Sequence, residues 1–431
     1  MCADQAPRPR AAADPFPTAD EVAHIALRLG RLMVVNGADS AHVEDAVTSF
    51  AAAHRYRARP LILPEGLLLT LEGREAFCTR LGRTIASPSV DMRALETLDA
   101  IHGDSLAPTA DLAGIERRLD GVESGAPRYP GLIVALAMGV TAAALARLFG
   151  ASVVVALVSA AVGATIWLLR LRLRAAGMNP IAAAALAAFG GGLLGSVAIG
   201  AVPDASPALC LVAGGLILVP SVPLLNGVRD ALGRHVVVGL SRIIVASATI
   251  LAIAFALFLA AAIAGDGFSI ERDASPPGLP EELVMAALVG AGLALAFNVP
   301  ARAAWGCMLC AIAGRGMRTA CEGLGFDLVG ASLVAAFATA VVARLIARRF
   351  RVPTVTFAFP GVVGMMPAYY AFRAGNGGLA IVHAGGAVSP ALVGETLALA
   401  GTAILVTSAI AVGLSMAFAT PLPGDRPHFG R

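Results

Sequence analysis

The chain has 431 residues, 57% of them hydrophobic and only 14% charged, with a mean hydropathy of +0.78. Soluble domains carry roughly a quarter charged residues, so composition excludes a purely soluble enzyme, a disordered chain and a small disulfide scaffold. All 32 basic residues are Arg, and the net charge of +3 is too small and scattered for a nucleic-acid binder.

The charge is uneven: residues 1–129 hold 14 Arg and 18 acids, whereas 130–431 hold 18 Arg and 11 acids. The six Cys are scattered and suggest no disulfide framework. Residues 1–19 lack the apolar stretch of a cleavable signal and read as a disordered start to a cytoplasmic domain.

From 20 to 35, Val22, Ile25, Ala26, Leu29, Leu32 and Met33 recur at helical spacing. Asn36-Gly37 ends that helix, and Asp39-Ser40 caps a second one running to about His54. Apolar runs at 61–71 and 76–85, separated by Glu72-Gly73-Arg74-Glu75, predict a two-stranded hairpin, its first strand weakened by Pro64 and Gly66. Two short helices are expected at 90–101 and 110–119, completing a soluble cytoplasmic α+β domain over 20–120. Its densest polar cluster, Asp39, Ser40, His42, Glu44 and Asp45, admits a hydrolase reading through Ser40 and His42. It reads more simply as a helix cap followed by acids that favour the helix dipole.

After Tyr129 apolar stretches follow almost without pause: 131–149, 151–169, 178–201, 208–227, 236–264, 283–300, 303–320, 326–346, 354–372 and 393–418. A spanning helix needs about 20 apolar residues, which predicts about ten transmembrane helices. The seventh is the weakest because it holds Arg315 and Arg318; the alternative is nine spans and a re-entrant segment. With the soluble domain inside, 12 Arg fall in inner segments against 5 outside, the bias of a cytoplasmic N-terminal domain. Residues 419–431 form a tail.

The apolar part also repeats. At an offset of 148, Ala144-Leu145-Ala146 matches Gly292-Leu293-Ala294, Phe149 matches Phe297, and Ala187-Ala188-Phe189 matches Ala335-Ala336-Phe337; Pro220 matches Pro367 at 147. Two halves of five spans, 131–264 and 283–418, would sit in opposite orientations, the architecture of many secondary transporters.

The fourth stretch of each half carries two prolines, Pro220 and Pro223 in one and Pro360 and Pro367 in the other, with Gly364 nearby. Proline removes a backbone donor and clashes with the preceding turn, so both stretches are expected to unwind and expose main-chain groups at a midplane site. Asn226 offers an amide to a substrate, Arg242 a fork matched to a carboxylate, and Arg229 and Asp230 stand at the inner end. Asn298 and Pro300 break the end of the sixth span. Asp230, Asp327, Glu395 and His235 are titratable groups at the ends of these spans, able to change protonation. Cys307 and Cys310 form a Cys-x-x-Cys inside a span and read as packing residues.

With these segments in place, the chain resembles the threonine/serine exporter family over nearly its whole length. The resemblance lies in Asn36-Gly37-Ala38-Asp39-Ser40 with Val43-Glu44, and in Arg128-Tyr129-Pro130. It continues through Leu218-Val219-Pro220, Pro223-Leu224-Leu225-Asn226, Arg229-Asp230 and Gly239-Leu240-Ser241-Arg242. The second half adds Phe297-Asn298-Val299-Pro300 with Arg302, Val352-Pro353 and Met366-Pro367. Where the family usually has Gly after each key Pro, this chain has Ser221 and Ala368; Phe372 takes a position often held by Tyr, with Tyr369 and Tyr370 close by.

The resemblance implies an inner-membrane, proton-driven exporter of small polar metabolites, threonine or serine, with a dicarboxylate such as succinate as the alternative. The expected partners are that substrate, protons and the lipid bilayer, with a homo-oligomer allowed; no cofactor, metal or catalytic residue is expected. The residues assigned to the substrate are Pro220, Ser221, Pro223, Asn226, Arg229, Arg242, Asn298, Gly364, Pro367, Tyr369 and Tyr370.

Overall fold

The computed structural model describes residues 17–73, 77–85, 89–107, 110–125, 127–200, 207–264, 277–350 and 352–420. The expectations for the N-terminal start and the C-terminal tail fall almost entirely outside these residues. The chain divides into two compact units, Met1–Pro88 with Thr97–Ala126 and Ser89–Glu96 with Pro127–Arg431.

In the first unit, α1 (Ala19–Val35) opens with Thr18 and Glu21 in a reciprocal capping box and closes at Asn36, with Gly37 at φ +103°. Asp39 caps α2 (Ser40–Ala53) by accepting from the His42 amide at 3.1 Å. An antiparallel sheet of three strands follows, β1 (Arg57–Leu63), β2 (Gly66–Glu72) and β3 (Phe77–Leu81), in the order β1-β2-β3.

The hairpin therefore needs correction. The run 61–71 is two strands, not one, because Leu63 pairs with Gly66 across a turn at Pro64-Glu65. Proline fixes φ and cannot donate to a ladder; Pro64 therefore sits in the turn, while Pro60 is carried within the edge strand β1. β1 also begins four residues earlier than apolar runs suggest, since Arg57 and Arg59 alternate outward on an edge strand. Leu67, Leu69 and Leu71 of β2 point inward at period 2 and, with Val22, Met33, Val47 and Phe50, are fully or almost fully buried. Helices α3 (Met92–Ser105) and α4 (Leu112–Glu123) complete the N-terminal segment; the division between units falls inside α3, after Glu96.

The second unit is helical: α5 (Gly131–Leu148), α6 (Val153–Ala175), α7 (Pro180–Gly200), α8 (Pro207–Leu216), α9 (Ser221–Leu232) and α10 (Val236–Ala264) form its first half. Its second half is α11 (Leu279–Ala296), α12 (Ala301–Gly323), α13 (Leu328–Phe350), α14 (Val355–Val363), α15 (Ala368–Ala384) and α16 (Pro390–Ala419). Among the described residues seven of these are long and apolar enough to cross a membrane, or eight when the bent pair α8–α9 counts as one span. α12 has the length, 23 residues, but carries Arg302, Arg315, Arg318 and Glu322.

Helix bounds recur between the halves. α5 and α11 are offset by 148 at both ends, as are α6 and α12; α7 and α13 start 148 apart, α9 and α15 start 147 apart. The turns recur too. Phe149 and Phe297 each cap a helix, and Gly150 (φ +89°) and Asn298 (φ +54°) each take the left-handed conformation that follows. Asn179 and Asp327 each accept a backbone N–H two residues on, from Ile181 at 2.9 Å and Val329 at 3.0 Å.

Helix contacts follow the same scheme. α6 packs on α5, α7 and α8 as α12 packs on α11, α13 and α14, and α10 holds α7 and α9 as α16 holds α13 and α15. Between halves α5 lies on α11, where a Cβ at Gly292 would overlap Thr141, a close approach of small residues typical of membrane helices.

The prolines behave less uniformly than expected. Pro223 is the third residue of α9, in a first turn whose amides need no helical partner, so it breaks nothing. Pro360 sits inside α14, which continues past it. The Thr356 carbonyl, which Pro360 cannot serve, accepts the Cys307 thiol at 3.4 Å. Cys307 and Cys310 are both fully buried in α12.

Candidate functional site

Two interruptions remain, one at Ile217–Pro220 and one at Gly364–Pro367. In the first, α8 ends with Leu218 and Val219 donating back to Gly215 and Leu216 at 3.0 and 3.2 Å. Pro220 then turns the chain (φ −77°, ψ 65°), and the Ser221 amide closes a three-residue turn on Val219 O at 2.8 Å. The Ser221 hydroxyl reaches the same carbonyl at 3.3 Å, and α9 departs at 64° from α8.

In the second, Gly364 caps α14, Met365 and Met366 donate to Val362 and Val363, and Pro367 caps α15. The Met365 carbonyl accepts from Arg318 Nη1 at 3.1 Å; Arg318 is only 8% exposed. α8 packs on α15 and α9 on α14, so the two broken elements touch crosswise. Tyr369, one residue into α15, stacks on Phe149 of the first half with ring centres 5.0 Å apart, and Tyr370 meets Tyr369 edge-on at 5.6 Å.

Each half also ties the leg after its break to its last helix through an ion pair. In the first, Arg242 of α10 donates to Asp230 of α9 at 2.7 Å, and the Asp230 side chain is 2% exposed. In the second, Arg373 of α15 meets Glu395 of α16 at 2.7 Å in a far more open setting, Glu395 being 57% exposed. Asn226 is buried one turn before Asp230, and the Arg229 guanidinium lies 4.8 Å above the Phe418 ring of α16.

Asn298 belongs to another cluster. Its Nδ2 donates to Asp91 Oδ1 at 2.9 Å and to Pro127 O at 3.3 Å, while Arg128 Nε reaches Asp91 at 3.3 Å. Tyr129 donates to Val299 O at 2.8 Å, the Met92 amide to Phe297 O at 2.9 Å, and Arg302 pairs with Glu96. The motifs at 128–130 and 297–302 thus lock the start of α3 onto the α11–α12 turn. Asp327 is an exposed cap of α13, and His235 precedes α10.

Three features escaped the sequence reading. Glu282 of α11, 7% exposed, pairs with Arg315 and accepts from Thr319 at 3.0 Å, so an acid assigned to a loop end is a buried partner for the weakest span. Arg318 holds the second break, as above. Asn376 of α15 is buried. The signal available was that an Arg inside a span must find an acid or a carbonyl, which makes Arg315 and Arg318 pointers rather than blemishes; Asn376 carries no motif.

In the first unit Ser40 is fully buried, and the ring of His42 is engaged by Asp99 at 3.0 Å. A different serine, Ser49, meets His102 at 2.8 Å, but its hydroxyl also bonds the Asp45 carbonyl at 2.5 Å, as an ordinary helix-back-bonded serine does. Among the described residues no group of three or more His, Cys, Asp or Glu could hold a metal.

Burial alone would lower the His42 pKa, but Asp99, with Asp39 and Asp45, overrides it and raises it to about 9. Burial pushes His102 down, against Asp99 and Asp45. His42 therefore contributes stability that is full below its unfolded pKa of about 6.5 and lost as pH rises through about 9. His102 contributes stability that is lost as pH falls below about 6.5. Thermal unfolding of this unit, followed across pH 5 to 10, is expected to peak near 6.5; His42→Gln should flatten the alkaline limb and shrink the acid limb only in part, because burial depresses His102 first and the His42 charge adds to it.

Two family descriptions match the chain: "Putative threonine/serine exporter" over residues 24–264 and "Threonine/Serine exporter, ThrE" over residues 282–419. Among curated proteins it is similar to the probable succinate transporter subunit YjjP of Escherichia coli (strain K12). That match is 23% identical over 246 residues, 57% of this chain and 95% of the relative. No solved structure matches the chain. With a family match over more than half its length, apolar helices and a pair of broken elements that touch, the chain belongs to the threonine/serine exporter family, a family of membrane transporters.

Proposed function

We propose that the protein is a secondary active carrier that exports threonine or serine across the inner membrane, coupled to the proton gradient, with its N-terminal unit in the cytoplasm. The observation that carries this is the crosswise contact of the two broken elements, α8 with α15 and α9 with α14. At each break one helix ends and another begins, so this reading brings helix N-termini and C-termini to one site. N-terminal amides favour a carboxylate and C-terminal carbonyls favour an ammonium group; a zwitterion offers both. Pro220, Ser221, Gly364 and Pro367 form the site's backbone, Tyr369 and Tyr370 its aromatic wall, and Asn226, Arg229 and Arg242 its inner side.

The recurrent helix bounds and turns support a duplicated architecture of ten crossings, with α12 and the α14–α15 pair added to the eight. Contacts between halves are exchanged: α9 meets α16 as α15 meets α10, and α8 meets α15 as α14 meets α9. Such reciprocity is the mark of a two-fold relation. Five crossings per half, an odd number, place the second half upside down. Asp230 is the proton carrier this reading favours, because it is buried against Arg242 and protonating it would release that partner, whereas Asp327 and Glu395 are exposed.

Succinate is the second reading, favoured by the name of the Escherichia coli relative. The experiment is uptake of labelled threonine, serine and succinate into proteoliposomes with and without an imposed pH gradient. Saturable, gradient-dependent flux of threonine or serine is expected; flux of succinate alone would transfer the assignment, and flux of none would remove the carrier reading.

A further inference from the structure

We infer that Asn376 of α15 is a substrate-contacting residue, and that its carboxamide selects a small hydroxy-amino acid over a dicarboxylate; this rests on the carrier reading above. Asn376 is 9% exposed, and neither its amide nitrogen nor its oxygen has a hydrogen-bond partner among the described residues. A buried amide with both ends unmade is costly, and such groups in native proteins call for an explanation. Here the helix supplies one.

Tyr369, Phe372 and Asn376 recur at spacings of three and four, so they share one stripe of α15. Tyr369 stacks on Phe149, and Phe372 is buried in a cluster dominated by first-half residues. The stripe faces across the boundary between halves, on the same helix that starts at the second break. Glycines flank the amide: a Cβ at Gly375 would meet Ala254 of α10 at 3.6 Å, and one at Gly377 would overlap Thr396 of α16. α15 is thereby drawn against both helices, and the amide is enclosed without a polar partner among the described residues.

The position has a counterpart. At the offset of 147 that relates α9 to α15, Asn376 corresponds to Arg229 and Arg373 to Asn226. Each leg thus carries one Asn and one Arg three residues apart, in reversed order. Arg373 is already committed to Glu395 at 2.7 Å and lies 5.8 Å from the Tyr369 ring centre. The neutral amide is the polar group this leg leaves for a ligand.

Its chemistry chooses the ligand class. An asparagine amide has two donors and one acceptor oxygen. A dicarboxylate at neutral pH offers only acceptors and would leave Oδ1 unmade. A threonine or serine brings a carboxylate for Nδ2 and an ammonium or hydroxyl for Oδ1, so both ends are satisfied.

The test uses the full-length protein in proteoliposomes and in detergent, with Asn376→Leu and Asn376→Gln. Asn376→Leu removes the unmade polar groups while keeping the same branching and number of side-chain heavy atoms. It should raise the melting temperature while reducing threonine and serine flux about tenfold or more, since a site built to bond a polar group loses most when that bond is gone. Asn376→Gln keeps the amide and should recover part of the flux with a raised KM. In the wild type, excess unlabelled serine should suppress threonine flux and excess succinate should not. Wild-type-like flux in Asn376→Leu, or flux that falls only in step with lost stability, would overturn the inference while leaving the carrier reading intact. Suppression by succinate as strong as by serine would overturn the class assignment. A wild type that carries none of the three substrates would remove the carrier reading and this inference with it.

Discussion

Arg242→Ala is expected to destabilise the protein by about 3–5 kcal/mol, the cost of stripping one partner from a buried ion pair. The asymmetry of the pair sets that magnitude. The Asp230 side chain is 2% exposed, so once the guanidinium at 2.7 Å is removed its charge has no route to water. The Arg242 side chain is 17% exposed, and its long stem can carry the head toward solvent. Asp230→Asn should therefore cost less than Arg242→Ala, and the double variant Asp230→Asn/Arg242→Gln should recover most of the loss. The corresponding pair of the second half behaves differently. Glu395 is 57% exposed, so Arg373→Ala should cost no more than about 1 kcal/mol. Thermal unfolding of the four variants in one detergent measures the ranking; equal costs for Arg242→Ala and Arg373→Ala would show that the two pairs are buried alike. Transport separates stability from mechanism, because the doubly neutral variant should keep its fold but lacks the group that the proposed cycle would protonate. It should lose the response of flux to a pH gradient.

The helical segments were legible because apolar residues in a membrane protein run in long, uniform stretches whose ends are marked by Asn, Asp, Gly and Pro. The bounds of α5, α10 and α16 lie within three residues of the stretches 131–149, 236–264 and 393–418. The three-stranded sheet was less legible, since β1 opens with Arg-Ala-Arg-Pro and its apolar end, Leu61–Leu63, merges with β2 into one apolar run. Proline counts overstated the unwinding. What a proline does depends on where it falls in its own helix and on whether another group serves the carbonyl it abandons, and neither is a local property of sequence. Pro223 fell in a first turn; Pro360 found the Cys307 thiol, 53 residues earlier in the chain, at the carbonyl of Thr356. The site's polar residues divided in the same way. Asp230 and Arg242 were legible as charges inside or beside a span, where physics demands a partner. Glu282 sat at the edge of an apolar run and read as a flank, although it is buried against Arg315 and Thr319. Asn376 is neutral, lies among glycines and leaves no mark in composition or charge.

Gly239→Val is expected to damage the same region without touching any polar group. A Cβ at Gly239 would stand 2.5 Å from the Ala231 amide nitrogen and 2.6 Å from the Gly227 carbonyl oxygen. These are backbone atoms of α9, so no side-chain rotamer can yield and α9 itself must move away from α10. Gly227 cannot absorb the change, because its own missing Cβ lies 3.0 Å from the Gly239 carbonyl oxygen and 2.9 Å from Ile243. Overpacking alone costs about 1–3 kcal/mol. Here it also separates Asp230, one residue before Ala231, from Arg242, three residues after Gly239. Part of the cost of the broken ion pair is therefore added, and the total should approach that of Arg242→Ala. The two substitutions should then be non-additive: Gly239→Val combined with Arg242→Ala should cost clearly less than the sum of the singles, because each destroys the same contact. Gly401→Ala in α16 is the control, since nothing lies within 4 Å of its missing Cβ, and it should change the melting temperature little. Melting temperatures of the single and double variants decide the matter. Strict additivity would mean that the close approach of α9 and α10 and the Asp230–Arg242 pair are independent, and that the helix seam does not set the geometry of the ion pair.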